Sequence, residues 1–230
     1  MKVHLLAIFI CVALAQACNV PNDAAVRFLN AHTLSPTTSG GACTANTVGI
    51  FRGSLDLSGN TRYVLQFDVE STYQAIVTTV PPDTVAGQSR NEFIGKRIIF
   101  TYSSTPSLPF MPEQLDMYWV VQPNSSTGSW LQLNMLAPLA RQMLLDQVQV
   151  GQSVELLVQF QVFGELASGQ KTNTNKVSYP IRVFKSGFTT CRTPGDVRAP
   201  TGPCGDFGGQ DGSFVGCCKD ITPTPAGCPT

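Results

Sequence analysis

Residues 153–184 constrain the fold more than any other stretch of this chain. Val154, Leu156, Val158, Phe160 and Val162 alternate with Glu155, Leu157, Gln159, Gln161 and Phe163, which is the period of a β-strand with one buried face. The polar run 167–176, Ala-Ser-Gly-Gln-Lys-Thr-Asn-Thr-Asn-Lys, interrupts that period with turn-forming residues. Alternation resumes in Val177, Tyr179, Ile181 and Val183, so the two arms are expected to lie side by side as a long hairpin. Pro180 falls on the polar phase of the second arm and cannot donate to a ladder, which predicts an edge position or a bulge there.

The same grammar recurs upstream. In 47–57, Phe51, Leu55 and Leu57 alternate up to a turn at Ser58-Gly59-Asn60, and Tyr63, Leu65, Phe67 and Val69 then oppose Gln66, Asp68 and Glu70. The short glycine-containing turn predicts that these two strands pair as a hairpin. Further strands are expected over 73–80, 93–102, 115–121 and 130–136, with prolines 106, 109 and 112 making the intervening stretch irregular. Strands at this spacing predict an all-β fold: an antiparallel β-sandwich, Greek-key or immunoglobulin-like, of about seven to nine strands. One short helix is expected after Pro138, where Leu136, Leu139, Ala140 and Met143 recur at three and four residues. Residues 47–185 form the expected sandwich domain. Residues 18–46 read as an N-terminal linker or loop region, with 23–30 open between a short helix and irregular chain.

Residues 1–17 carry one lysine near the start, an apolar run from Leu5 to Leu14, and the small-x-small sequence Ala15-Gln16-Ala17, which is the pattern of a cleaved signal peptide. The apolar run is too short to span a bilayer. Export is therefore expected, and with it an oxidising environment. The fifteen basic and fifteen acidic residues balance and form no block of either sign, which excludes an electrostatic footprint for nucleic acid or an anionic membrane.

Of eight cysteines, Cys11 lies in the leader, so an odd number survives cleavage: Cys18, Cys43, Cys191, Cys204, Cys217, Cys218 and Cys228. Cys18 would be the first mature residue. The segment Leu14-Ala15-Gln16-Ala17-Cys18 resembles a bacterial lipoprotein processing site. That resemblance implies acylation of Cys18 and, with Asn19 following, an outer-membrane destination. Ordinary cleavage with an intermolecular disulfide at Cys18 accounts for the same parity. The other six cysteines allow fifteen pairings. Neighbours such as Cys217 and Cys218 are poorly placed to bridge to each other. Cys43 is the only one of the six outside the last forty-odd residues, so full pairing ties it to the tail across roughly 150 residues or more.

That tail, 186–230, is rich in Cys, Gly and Pro and has no periodic apolar face. It reads as an extension stabilised by disulfides instead of by a core.

Candidate chemistry is sparse. His32, the single histidine of the mature chain, has no acidic neighbour in sequence and reads as a surface residue. Asp206 and Asp211, with Asp196 or Asp220 and backbone carbonyls, are candidate calcium ligands, though the EF-hand spacing is missing. Thiolate zinc is disfavoured by the export context. Glu155 and Glu165 are the only acid pair nominated for glycoside hydrolysis, and ten residues of extended strand separate them by about 33 Å. Asn124-Ser125-Ser126 fits an N-glycosylation acceptor in a loop. Trp119, Trp130, Tyr118 and Tyr102 serve either the core or a ligand surface.

The expected function is non-catalytic: an exported cell-surface or envelope protein, structural or binding, that recognises a protein or glycan partner. No cofactor is implied, and contact with a membrane would come only through a lipid on Cys18. A secreted carbohydrate-processing hydrolase with paired carboxylates is the alternative. A flat aromatic or glutamine-rich patch would favour recognition, and a cleft holding two acids would favour hydrolysis.

Overall fold

Period-two alternation builds two sheets around one core. The computed structural model describes residues 24–36, 43–76, 89–126, 129–188, 191, 196–199, 204, 208–211, 216–220 and 228. Along the chain run β1 (Val26–Pro36), β2 (Cys43–Gly49), β3 (Gly53–Asp56), β4 (Val64–Ser71), β5 (Phe93–Thr105), β6 (Glu113–Val121) and β7 (Ser129–Asn134). Helix α1 (Pro138–Gln147) follows, then β8 (Ser153–Leu166), β9 (Lys171–Asn173) and β10 (Val177–Phe184). One sheet has four strands in the order β2-β1-β4-β7; the other has six, β3-β10-β8-β5-β6, with β9 also against β8. Phe28 and Phe67 of the first sheet meet Phe160 of the second edge-on, each at 5.1 Å, and Trp119 stacks on Phe28 at 5.6 Å. Burial of each such ring contributes about 2–3 kcal/mol. Among the described residues no helix is long and apolar enough to cross a membrane.

The predicted long hairpin is present: β8 and β10 pair antiparallel from Phe160↔Val177 to Ser153↔Phe184. Its turn is shorter than the polar run suggested. The Leu166 N–H reaches Gln170 O at 2.8 Å with Gly169 at φ +89°, and β9 is already back on β8. Fully buried Thr174 carries the ladder across the gap between β9 and β10. Its hydroxyl accepts from Val162 N–H at 3.1 Å, and its own N–H donates to Val162 O at 3.0 Å. Pro180 is not on an edge strand, because β10 lies between β8 and β3; the β3 pairing starts at Ile181, one residue past the missing N–H.

Four expectations are corrected. The segment read as an N-terminal linker, 18–46, contains all of β1 and the first half of β2. Its buried residues, Val26, Phe28, Ala31 and Leu34, lose the period of two because the register shifts between Phe28 and Ala31 and again between His32 and Leu34. The hairpin predicted across residues 58–62 does not form: β3 joins β10 while β4 joins β1 and β7 in the other sheet. Alternation reveals a buried face but not which sheet owns it, and Leu55 and Leu65 face the same core from opposite sides. The β3–β10 pair is also parallel, so the sheets are not wholly antiparallel. Of the strand expected over 73–80, residues 73–76 are not in a strand and 77–80 lie outside the described residues.

Helix α1 forms where predicted and buries Ala140 and Leu144. Its N-cap, Ala137, has no side chain able to cap. Glu113 at the start of β6 does this from a distance, its carboxylate accepting the N–H groups of Leu139 at 2.9 Å and Ala140 at 2.7 Å. A buried carboxylate at a helix N-terminus satisfies orphan donors and meets the positive end of the helix dipole.

The described part of the tail is laid against both sheets. Asp56 N–H donates to Gly209 O at 3.0 Å and Asp211 N–H to Ser54 O at 2.8 Å, so residues 209–211 run beside β3. The Gln210 side-chain amide then crosses to the other sheet, accepting from Val64 N–H at 3.1 Å and donating to Val64 O at 2.8 Å. Asn175 makes the same two-point contact at the β1 bulge, accepting from Phe28 N–H at 2.7 Å and donating to Phe28 O at 3.1 Å. Each side-chain amide thus stands in for a missing strand neighbour.

Candidate functional site

The nominated cysteines pair as Cys43–Cys204, Cys191–Cys217 and Cys218–Cys228. The first spans 161 residues and ties β2 to the tail. Cys18, with the leader, lies outside the described residues, as does Asp206. Ligand-type atoms of Cys191, Asp196 and Cys217 lie within 4.8 Å of one another, but two of them are the sulfurs of one disulfide and offer no thiolate. The Asp196 carboxylate accepts the Lys219 N–H at 3.3 Å.

Asp211, nominated for calcium, is engaged by the protein itself. Its two oxygens accept the Tyr63 hydroxyl at 2.6 and 2.7 Å, and one also accepts Ser54 N–H at 2.8 Å. Burial pushes this carboxyl above the usual aspartate range, while the bonds from Tyr63, Ser54 and Gln210 work in the opposite direction. Burial, reinforced by the charge of Asp211, holds Tyr63 far above the ordinary tyrosine value, and burial pushes Tyr179 up to about 12. Gly53 makes room for the cluster, since a Cβ there would sit 1.9 Å from the Tyr63 hydroxyl oxygen. The Asp211 group joins tail to sheets.

The two acids nominated for hydrolysis stand toward opposite ends of β8, and each meets a cation. Glu155 pairs with Arg52 at 3.1 Å and has Arg182 at 4.0 Å; Glu165 pairs with Lys96 at 2.6 Å. Asn124 is exposed in a turn after β6 at φ 54°. His32 is corrected: it is buried, not a surface residue, and its Nε2 lies 2.8 Å from Asp68 Oδ2, thirty-six positions away in sequence. Its Nδ1 is buried without a hydrogen-bond partner among the described residues, where a nucleophile-activating histidine would hold a hydroxyl.

The four aromatic candidates divide. Trp119 and Tyr102 pack against the core, Trp119 donating its indole N–H to Trp130 O at 3.3 Å. Tyr118 and Trp130 are exposed, at 79% and 53%. Trp130 on β7 stands directly across the ladder from Asp68 on β4, and Gln132 directly across from Gln66. A side-chain period of two places Trp130 and Gln132 on one face of β7, away from Leu131 and Leu133, which pack on the core. That face is held in order by its own contacts: Gln132 Nε2 donates to Gln66 Oε1 at 3.3 Å, Asp68 holds His32, and Arg27 pairs with Glu70 at 2.9 Å. The outer face of the four-stranded sheet therefore carries an exposed aromatic and glutamines beside polar side chains that are hydrogen-bonded to one another. Sequence reasoning named Trp130 and Gln66 separately; the shared phase of Trp130 and Gln132 was the readable signal, and the partnership with β4 was not.

On the outer face of the other sheet a shallow pocket of about 510 Å³ lies among Lys96, Arg97, Asp116, Phe163, Glu165 and Lys171. The Arg97 guanidinium sits over the Phe163 ring at 5.3 Å. Comparison with known protein families, curated proteins and solved structures gives no match.

Proposed function

We propose that this is an exported, non-catalytic recognition domain of the cell surface or envelope, a Greek-key-type β-sandwich with a stapled tail, whose partner is a protein or a glycan. The observation that carries the reading is the outer face of the four-stranded sheet, where a half-exposed Trp130 stands beside ordered polar side chains. A surface aromatic flanked by groups already held in place loses little side-chain entropy on binding. Two further features support it. The leader-like segment directs the chain out of the cytosol, and three disulfides use every cysteine except Cys11 and Cys18, which agrees with a lipid on Cys18. The hydrolase alternative has no comparable support, because Glu155 and Glu165 do not face a common space.

The test is to incubate the mature protein with immobilised envelope glycans and envelope proteins while assaying released reducing ends. Binding without product release is expected, whereas turnover would overturn the non-catalytic reading. The intact mass of membrane-extracted protein is expected to show cleavage before Cys18 and added acyl mass; an unmodified Cys18 removes the anchor.

A further inference from the structure

The outer face of the four-stranded sheet has a chemistry that narrows its partner. Among the described residues its exposed aromatic group is Trp130, an indole plane 53% exposed on the edge strand β7. Around it, the Asp68 carboxylate is hydrogen-bonded to His32 at 2.8 Å, and Glu70 is paired with Arg27 at 2.9 Å. These residues form no cluster of one sign that would select an ionic ligand. Its polar groups nonetheless keep unused capacity. A primary amide carries two donors and an acceptor with two lone pairs, so the single bond between Gln66 and Gln132 leaves both with free donor and acceptor positions. The second oxygen of Asp68 is likewise not the one bound to His32.

We propose that this face binds a neutral polysaccharide chain, one sugar ring stacking by its C–H face on Trp130 while neighbouring hydroxyls bond to Gln132, Gln66 and Asp68. The proposal rests on the recognition reading above and names its ligand. Sugar hydroxyls are both donors and acceptors, which is what adjacent amides and a carboxylate satisfy together, and pyranose C–H groups are attracted to the negative face of an aromatic ring. Gln132 lies about 7 Å from Trp130 along β7, and Asp68 and Gln66 lie about 5 Å across the ladder, so contacts extend over more than one ring.

Calorimetry of the full mature protein with soluble neutral hexasaccharides (β-1,4-glucan, β-1,3-glucan and β-1,4-mannan), and with an oligogalacturonate as the acidic control, tests this. At least one neutral chain is expected to bind, with an affinity that changes little between low and high salt. Trp130→Ala is expected to weaken it about tenfold or more. Gln132→Ala, a second exposed site that does not touch the core, is expected to weaken it less, and Arg97→Gln on the opposite sheet should leave it unchanged. Circular dichroism of each variant checks that the fold is retained. Salt-sensitive binding of the acidic chain alone, lost in Arg97→Gln, would overturn the proposal and move the site to the other sheet. Capture of an envelope protein through Trp130, with no oligosaccharide bound, would overturn the glycan while sparing the recognition reading. Loss of no binding in Trp130→Ala would overturn both the face and its ligand, and released reducing ends would overturn the recognition reading itself.

Discussion

The paired sheets and the tail are held by opposite means. Between the sheets, Phe28, Phe67, Phe100 and Phe160 are almost wholly buried and pack on one another, so that region is stabilised by apolar area removed from water. Among the described residues of the tail, the buried apolar cluster consists of Ala199 and Cys218, with Cys228 beside them. Three disulfides, a glutamine amide and one carboxylate replace the missing core. The contrast teaches that a segment with no hydrophobic face still takes a fixed place when covalent bonds limit its unfolded freedom and polar side chains finish another element's ladder.

The largest effect that breaks this contrast is removal of the Cys43–Cys204 bridge. For a loop of 161 residues the chain-entropy model assigns about 5 kcal/mol. In a Cys43→Ala/Cys204→Ala variant, hydrogen exchange should show lost protection first at residues 54–56 and 209–211, ahead of β8. Uniform loss over both regions would mean that they unfold as one unit. Phe160→Ala comes next, at about 4 kcal/mol by denaturant unfolding, because it empties the contact between Phe28, Phe67 and Phe100. This loss should spread over both sheets while the disulfide map stays unchanged. The smallest effect near neutrality is alkaline. Tyr63, Tyr102 and Tyr179 all have raised values in the fold, so the folded state binds more protons than the unfolded chain above the ordinary tyrosine value of 10.0. Their contribution is complete below pH 10 and declines above it, the share of Tyr179 being lost as pH rises through about 12. Tyr179→Phe should therefore flatten the first part of that decline in a pH series of melting temperatures.

Legibility followed the same divide. The 153–184 hairpin was readable because its buried residues keep a strict period over enough positions to count; helix α1 was readable from Pro138 at its first turn, but Leu139, expected on its apolar side, is exposed and Leu144 is buried instead. β1 was not, since two register shifts scramble its period, and no local signal reports that a strand will join the far sheet, as β3 and β4 do. In the candidate site, Trp130 was visible as an aromatic residue but its neighbours were not, because Asp68 and Gln66 come from a strand more than sixty positions earlier. His32 shows the same limit: its acid partner is near only in space. The tie from Cys43 to the tail was readable by elimination, but its choice of Cys204 was a matter of geometry.

Residues 209–211 cover the outer side of β3, a four-residue strand that would otherwise be the last of its sheet. Left bare, its unpaired N–H and C=O groups would offer a template on which another copy's strand could add. The Cys43–Cys204 bridge that retains the tail thus acts as a guard on solubility as well as on stability.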